Sequence, residues 1–78
     1  MTERASEGIR RRLAQNARNA RTALGWTQEE AAEHLECSVQ TLQRIERALS
    51  NPTLAFLERV ANTYKLDPQR LLAPIGRW

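Results

Sequence analysis

Residues 27–47, TQEEAAEHL-ECS-VQTLQRIER, predict two short helices joined by a tight turn. The stretch opens with a capping box, in which the Thr27 hydroxyl accepts a hydrogen bond from the Glu30 amide and the Glu30 carboxylate accepts one from the Thr27 amide. A second helix start follows at Ser38, a typical N-cap residue. Only about two turns of helix fit between these two starts.

The second predicted helix separates its apolar and polar residues at about 100° per residue. Leu42, Ile45 and Leu49 lie on one side, which we expect to face a core. The opposite side carries hydrogen-bond donors and no carboxylate; it comprises Gln40, Gln43, Arg44 and Arg47. These side chains suit the DNA major groove, because Arg can bond guanine bidentately and Gln can do the same for adenine. An isolated helix of this kind would be interpreted as a solvated surface helix, but the preceding helix and turn favour DNA binding.

The length of 78 residues allows one small domain, which we expect at 1–78 with a core at about 6–73 and a tail at 74–78. No apolar run approaches the roughly 18 residues that cross a bilayer, and the N-terminal sequence MTERASEG lacks the apolar stretch of a signal peptide. We therefore expect a soluble cytoplasmic protein without a membrane partner.

Metal, redox and catalytic chemistry have little support in the sequence. The single cysteine, Cys37, cannot form an internal disulfide, and with only His34 near it there is no plausible zinc set. Cys37 is expected to be a small packed residue in the turn, whereas an exposed thiol would allow redox sensing. His34 has no evident nucleophile beside it. We predict no metal, no cofactor, no small-molecule ligand and no enzymatic activity.

Charge is distributed unevenly along a chain whose formal net charge is +3. Residues 1–24 carry six arginines against two glutamates, whereas residues 25–37 carry four glutamates and no Lys or Arg. Such a molecule can turn a basic face towards a polyanion and keep its acidic side in solvent.

Apolar residues at spacings of three and four predict three further helices, which completes an all-α fold of five helices. The first begins near Ser6 and ends at Gly25 in a left-handed cap; its inward residues are Ile9, Leu13, Ala17, Ala20 and Leu24. The fourth is capped by Thr53; its inward residues are Leu54, Leu57, Val60, Ala61 and Tyr64. The fifth starts at Asp67-Pro68 and ends before Pro74. The tail from Ile75 to Trp78 is expected to fray unless a partner chain covers it.

With these landmarks, the chain resembles the helix-turn-helix family of phage repressors, Cro proteins and their bacterial relatives, often called Xre-like, over about residues 9–73. The resemblance is carried by ARTALGWTQEEAAEHL, SVQTLQRIER and NPTLAFLERVANTYKLDPQRLL. It implies that the second and third helices form the helix-turn-helix and that Ser38 to Arg47 is the recognition helix.

The resemblance also implies roles for individual residues. Positions that match base contacts are Val39, Gln40 and Arg44. Positions that match contacts with the DNA backbone, which position the protein without reading sequence, are Gln28, Ser38, Thr41, Gln43, Arg47, Ser50 and Asn51. An internal ion pair between Arg21 and Glu46 is implied as well, and the competing interpretation places Arg21 on a phosphate.

Two positions depart from the family pattern. Glu36 in the turn and Ala48 after the recognition helix stand where the family commonly has Gly. A left-handed backbone at Glu36 would cost on the order of 1 kcal/mol relative to Gly. We expect the Glu36 side chain to point away from the DNA.

The function that these observations favour is a sequence-specific regulator of transcription that binds double-stranded DNA as a homodimer. One recognition helix reads few base pairs, so the operator should be near-palindromic, with half-site centres about 34 Å apart. The alternative is an antitoxin or adaptor module that uses the same fold mainly to bind a protein.

Overall fold

The computed structural model describes the backbone of residues 2–75 and the side chains of residues 8–75. In this part of the chain the regular structure is five α-helices without a strand, which confirms the predicted all-α fold. The helices are α1 (Thr2–Ala23), α2 (Gln28–Leu35), α3 (Val39–Glu46), α4 (Leu54–Tyr64) and α5 (Pro68–Leu71). None of them has the length and apolar composition to cross a membrane. The expectation for the tail beyond Ile75 lies outside the described residues.

Each of the four later helices begins at the side-chain cap that the sequence predicts. The cap oxygens of Thr27, Ser38, Thr53 and Asp67 each accept a hydrogen bond from a backbone amide two or three residues later, at 3.0–3.1 Å. At the start of α2 the capping box is complete, because the Thr27 amide also donates to Glu30 Oε1 at 2.8 Å. These local bonds fix where α2 and α3 begin, and so fix the length of the turn between them.

The first four helices end in the same left-handed turn. The residues in it are Gly25, Glu36, Ala48 and Lys65, with φ between 57° and 76°. After α3, for example, the Ala48 amide donates to Ile45 O at 3.1 Å and the Leu49 amide donates to Arg44 O at 2.9 Å. This bond pair satisfies carbonyls that the helix end leaves free. Glu36 therefore has the left-handed backbone whose cost was considered above, and Ala48, the other position where the family commonly has Gly, has one as well.

The core lies between α1, α4 and α5 on one side and the α2–α3 pair on the other. Its buried apolar side chains are Leu13, Ala17, Ala20, Ala31, Ala32, Leu35, Leu42, Ile45, Val60, Ala61, Tyr64 and Leu71. α3 packs against both α1 and α2, where buried alanines on these helices allow close approach. α3 is therefore held on two sides and exposes only its remaining face.

Two predictions about α1 were wrong. The helix begins at Thr2, one turn earlier than the predicted start at Ser6. Leu24 is exposed because it follows the helix end at Ala23, and Ile9 is half exposed because it lines a groove that is open to solvent.

Leu49 and Leu54 were also wrongly predicted to be core residues. Leu49 is 57% exposed, since the positive φ of Ala48 takes the chain off the helical path on which the periodicity argument depends. Leu54 is 80% exposed because it is the first residue of α4, ahead of the part of that helix that enters the core.

The sequence did not reveal the role of Asn16, a fully buried polar residue of α1. Its Nδ2 donates to the carbonyl oxygens of Leu71 at 3.0 Å and Ala73 at 2.9 Å. The Leu71 carbonyl is at the C-terminal end of α5, where carbonyls have no partner within the helix, and the Ala73 carbonyl lies two residues beyond that end. Asn16 thus ties the last helix to the first.

Replacing Asn16 by alanine should destabilise the protein by about 1–3 kcal/mol, because two carbonyls lose a buried donor. The matched control is Asn62→Ala, since Asn62 is also a helical asparagine but is exposed. Urea unfolding of both variants measures the difference. Equal unfolding free energies for Asn16→Ala and Asn62→Ala would contradict this role of Asn16.

Replacing Glu36 by glycine should stabilise the protein by about 1 kcal/mol, because φ of 57° strains any residue with a Cβ. Glu33→Gly is the control, since Glu33 is an exposed residue inside α2 where glycine should cost about 1 kcal/mol. Thermal unfolding of both variants tests the expectation. A loss of stability in Glu36→Gly would contradict it.

Candidate nucleic-acid interface

The candidate interface is the side of α3 that faces away from the core. Leu42, Ile45 and Glu46 are buried on the inner side. Gln40, Arg44 and Arg47 are exposed on the outer side. The structure therefore brings the predicted polar stripe together on one accessible surface.

The three residues predicted to contact bases differ in accessibility. Gln40 is exposed and has a free amide among the described residues. Val39 is half-buried and packs against the core, which leaves part of its side chain accessible at the start of α3. The Arg44 guanidinium is exposed but bends back along the surface, where Nη2 donates to Leu49 O at 3.2 Å. Arg44 has to give up this single bond before it can extend from the stripe.

The residues predicted to contact the DNA backbone form three groups. Ser38 and Thr41 share a hydroxyl–hydroxyl bond of 2.9 Å at the start of α3. At the other end, Asn51 Oδ1 accepts from Arg10 Nε at 3.2 Å, which links the loop after α3 to α1. The remaining residues include Gln28 and Gln43, whose side chains are hydrogen-bonded to each other. The other two are Arg47, which is exposed, and Ser50, which is half-buried.

The pair of residues that the resemblance implies as an ion pair lies in direct contact. Arg21 Nε donates to Glu46 Oε2 at 2.7 Å, and Arg21 Nη2 donates to Glu46 Oε1 at 3.0 Å. A third donor of the same guanidinium reaches the Trp26 carbonyl oxygen at 2.9 Å. Glu46 is only 3% exposed, and the hydrogen bond to its carboxylate is the main cause that raises the pKa of Arg21. With its guanidinium so engaged, Arg21 faces the protein interior and not solvent.

Gln28 extends this pair into a network. Its Nε2 donates to Glu46 Oε1 at 2.9 Å, so the buried carboxylate has three donors from two residues. Its Oε1 accepts a longer bond of 3.4 Å from Gln43 Nε2. Both bonds fix the orientation of the Gln28 amide, whose second N–H is left to bind another acceptor.

Arg18 is a member of this cluster that the sequence did not reveal. Its Nη2 donates to the backbone oxygen of Glu46 at 2.8 Å, and its Nε lies 3.9 Å from Glu46 Oε1. The first contact caps a carbonyl in the last turn of α3, and the positive charge suits the negative end of the helix dipole. The signal was available in principle, since Arg18 stands one helical turn before Arg21 in α1.

Trp26, His34 and Tyr64 form an aromatic group beside the network. The rings of Trp26 and His34 stack with centroids 4.0 Å apart and planes 8° from parallel, and Tyr64 meets Trp26 edge-on at 6.0 Å. Burial raises the pKa of Tyr64, and the Glu46 charge adds to the effect. The phenol therefore stays neutral, and the group packs the junction of α2 and α4.

Cys37 and the acidic residues offer no metal site among the described residues. No group of three or more His, Cys, Asp or Glu side chains is placed there to hold an ion. Cys37 is half-buried against the core, and burial raises the pKa of its thiol. The thiolate that redox chemistry needs is thereby disfavoured.

Comparisons with known proteins agree with this geometry. A profile of a family described as "Helix-turn-helix domain" matches residues 12–73, and the chain belongs to this family. This membership supports the prediction that the chain is not an enzyme. A search of curated protein sequences gives no match.

Solved structures with the same fold include two proteins described as regulators. The crystal structure of hypothetical transcription factor NHTF from Neisseria has 31% sequence identity and a TM-score of 0.82, over 86% of this chain and 77% of that one. An HTH_3 family transcriptional regulator from Vibrio cholerae has 24% identity and a TM-score of 0.78, over 85% of this chain but only 37% of the other. The second likeness concerns the fold alone.

Glu46→Gln and Arg21→Ala should each destabilise the protein by about 3 kcal/mol, because each leaves one member of a buried ion pair without its partner. Arg12→Ala is the control, since Arg12 is an exposed arginine of the same helix. Thermal unfolding measures all three variants. If Glu46→Gln and Arg21→Ala unfold like Arg12→Ala, the ion pair does not hold α3 in place.

Proposed function

We propose that this protein is a sequence-specific regulator of transcription that binds double-stranded DNA with Ser38 to Arg47 in the major groove. The observation that carries the proposal is the charge of α3. Its one acidic residue, Glu46, is buried and held by Arg21, so the outer face presents amides and guanidinium groups and no carboxylate. A surface with donors and no exposed carboxylate is complementary to the acceptor-rich edge of guanine and to flanking phosphates.

Within the major groove, Gln40 and Arg44 are the proposed direct readers of sequence. A glutamine amide bonds adenine at N6 and N7, and an arginine bonds guanine at O6 and N7. Val39 offers its accessible methyl surface to a thymine methyl group. The surface bond from Arg44 to Leu49 O is a single, solvent-exposed contact at 3.2 Å, so a guanine edge can replace it.

The proposed backbone contacts surround these readers on both sides. Gln28 donates its second amide N–H to a phosphate while Glu46 and Gln43 keep its side chain oriented. The other proposed contacts are Ser38, Thr41, Gln43, Arg47, Ser50 and Asn51. These contacts set the register of α3 along the duplex and carry little sequence information themselves.

A dimer is part of the proposal because one α3 reads too few base pairs for a specific site. Two copies related by two-fold symmetry would read half-sites about 34 Å apart, and the operator would be near-palindromic. Because DNA is the proposed ligand, we also propose a cytoplasmic location.

The alternative function, an antitoxin or adaptor module, is favoured by one observation. Large apolar side chains are exposed at Ile9, Leu49, Leu54 and Ile75. Apolar side chains exposed on a small domain can contribute to a protein interface. Gln40→Ala combined with Arg44→Ala separates the two functions, because it should abolish operator binding and leave a bound protein partner in place.

Arg44→Ala should weaken binding to the preferred site by about 1–3 kcal/mol and relax the preference at one base pair, whereas Arg47→Ala should weaken binding to all duplexes similarly. Selection from random duplexes identifies the preferred site and its footprint. Fluorescence anisotropy with that duplex and with a scrambled one then measures both variants. Equal losses on the two duplexes for Arg44→Ala would contradict base reading by this residue.

A further inference from the structure

A second surface feature lies beside α3, outside the polar stripe of that helix. A groove with a volume of about 410 Å³ runs between α1 and the end of α3. Three guanidinium groups line it, from Arg11 and Arg18 on α1 and from Arg47 after α3. We call this feature the arginine groove. Ala14, Gln15 and Ile75 also line it.

The exposed charged side chains that line the arginine groove are all positive. Its one acidic residue, Glu46, has a side chain that is 2% exposed and bonded to Arg21. The Glu46 carboxylate is therefore neutralised by Arg21 and almost completely shielded from solvent. Arg11 and Arg47 are exposed and make no ion pair or hydrogen bond through their side chains among the described residues. Like charges collected on one concave surface raise the local concentration of anions.

The three arginines do not have the same role in the groove. Arg18 donates to the Glu46 carbonyl, so it is a positioning residue that holds the end of α3. This bond also offsets the negative helix end that would otherwise repel an anion. Among the residues that the structure describes, Arg11 and Arg47 have no side-chain partner, and a guanidinium fork matches two oxygens of one phosphate.

We infer that the arginine groove binds phosphate groups of the DNA backbone that flank the segment read by α3. This inference rests on the proposed function. Arg47 belongs both to the outer stripe of α3 and to the groove, so the two surfaces are continuous. A duplex whose major groove holds α3 has a phosphate strand beside the end of that helix, next to Arg47. Arg11 extends the contact onto α1 and lengthens the footprint on that side.

The neighbouring arginines of α1 provide a matched test. Arg11→Gln and Arg12→Gln remove the same charge from adjacent exposed positions, but only Arg11 lines the groove. The logarithm of the DNA-binding constant falls linearly with the logarithm of the salt concentration. Loss of one phosphate contact should make this slope less steep by about 0.9. If counterion release supplies the whole binding free energy of this contact, Arg11→Gln should bind DNA about eightfold more weakly in about 0.1 M salt. The loss should be equal on the selected and the scrambled duplex.

The measurement is a salt titration by fluorescence anisotropy on wild type and both variants, with thermal unfolding as a check on folding. Arg12→Gln should change the salt slope by much less than Arg11→Gln. Arg11→Lys should keep the slope, because it keeps the charge. Equal slopes for Arg11→Gln and Arg12→Gln would overturn the groove contact, even where Arg44 still determines sequence preference. A wild-type protein that binds no duplex at all would overturn both this inference and the proposed function.

Discussion

The buried carboxylate of Glu46 is the constraint around which the helix-turn-helix is arranged. Taking this charge out of water is unfavourable unless donors surround it, and Arg21 and Gln28 supply three hydrogen bonds. These donors come from α1 and from the first residue of α2, while the carboxylate belongs to α3. One side chain therefore connects all three helices. Because the requirement is directional, it sets the angle of α3 more sharply than the surrounding alanine and leucine contacts can.

The same arrangement determines the chemistry of the outer surface. A glutamate on the outer face of α3 would repel phosphates, and burying it against Arg21 removes that charge from the surface. What remains outside is donor-rich, and Arg18 and Arg47 continue it towards α1. Burial of Glu46 against Arg21 thus produces both the internal ion pair and the carboxylate-free surface that we propose for DNA. Three of the six arginines in residues 1–24 have different roles around α3. Arg21 holds the buried carboxylate, Arg18 caps the end of α3, and Arg11 lines the arginine groove.

Sequence reasoning predicted the features that depend on a few neighbouring residues. The caps at Thr27, Ser38, Thr53 and Asp67 belong to this class, and so does the inner face of α3 at Leu42 and Ile45. It failed for Leu49, because the helical period was extended past the real helix end. Asn16 and Arg18 were missed for a different reason: their acceptors are backbone carbonyls 55 and 28 residues away along the chain. Every residue has such a carbonyl, so no side-chain pattern marks the partner.

The outer face of α3, held by the Glu46 network, is the surface that we propose meets DNA. Titration of ¹⁵N-labelled protein with a duplex obtained by selection tests it most directly, through the backbone amide shifts of every helix. We predict that the largest changes fall within residues 38–47 and at the start of α2, with small changes in α5. Shifts concentrated in α4 and α5, with residues 38–47 unaffected, would contradict it.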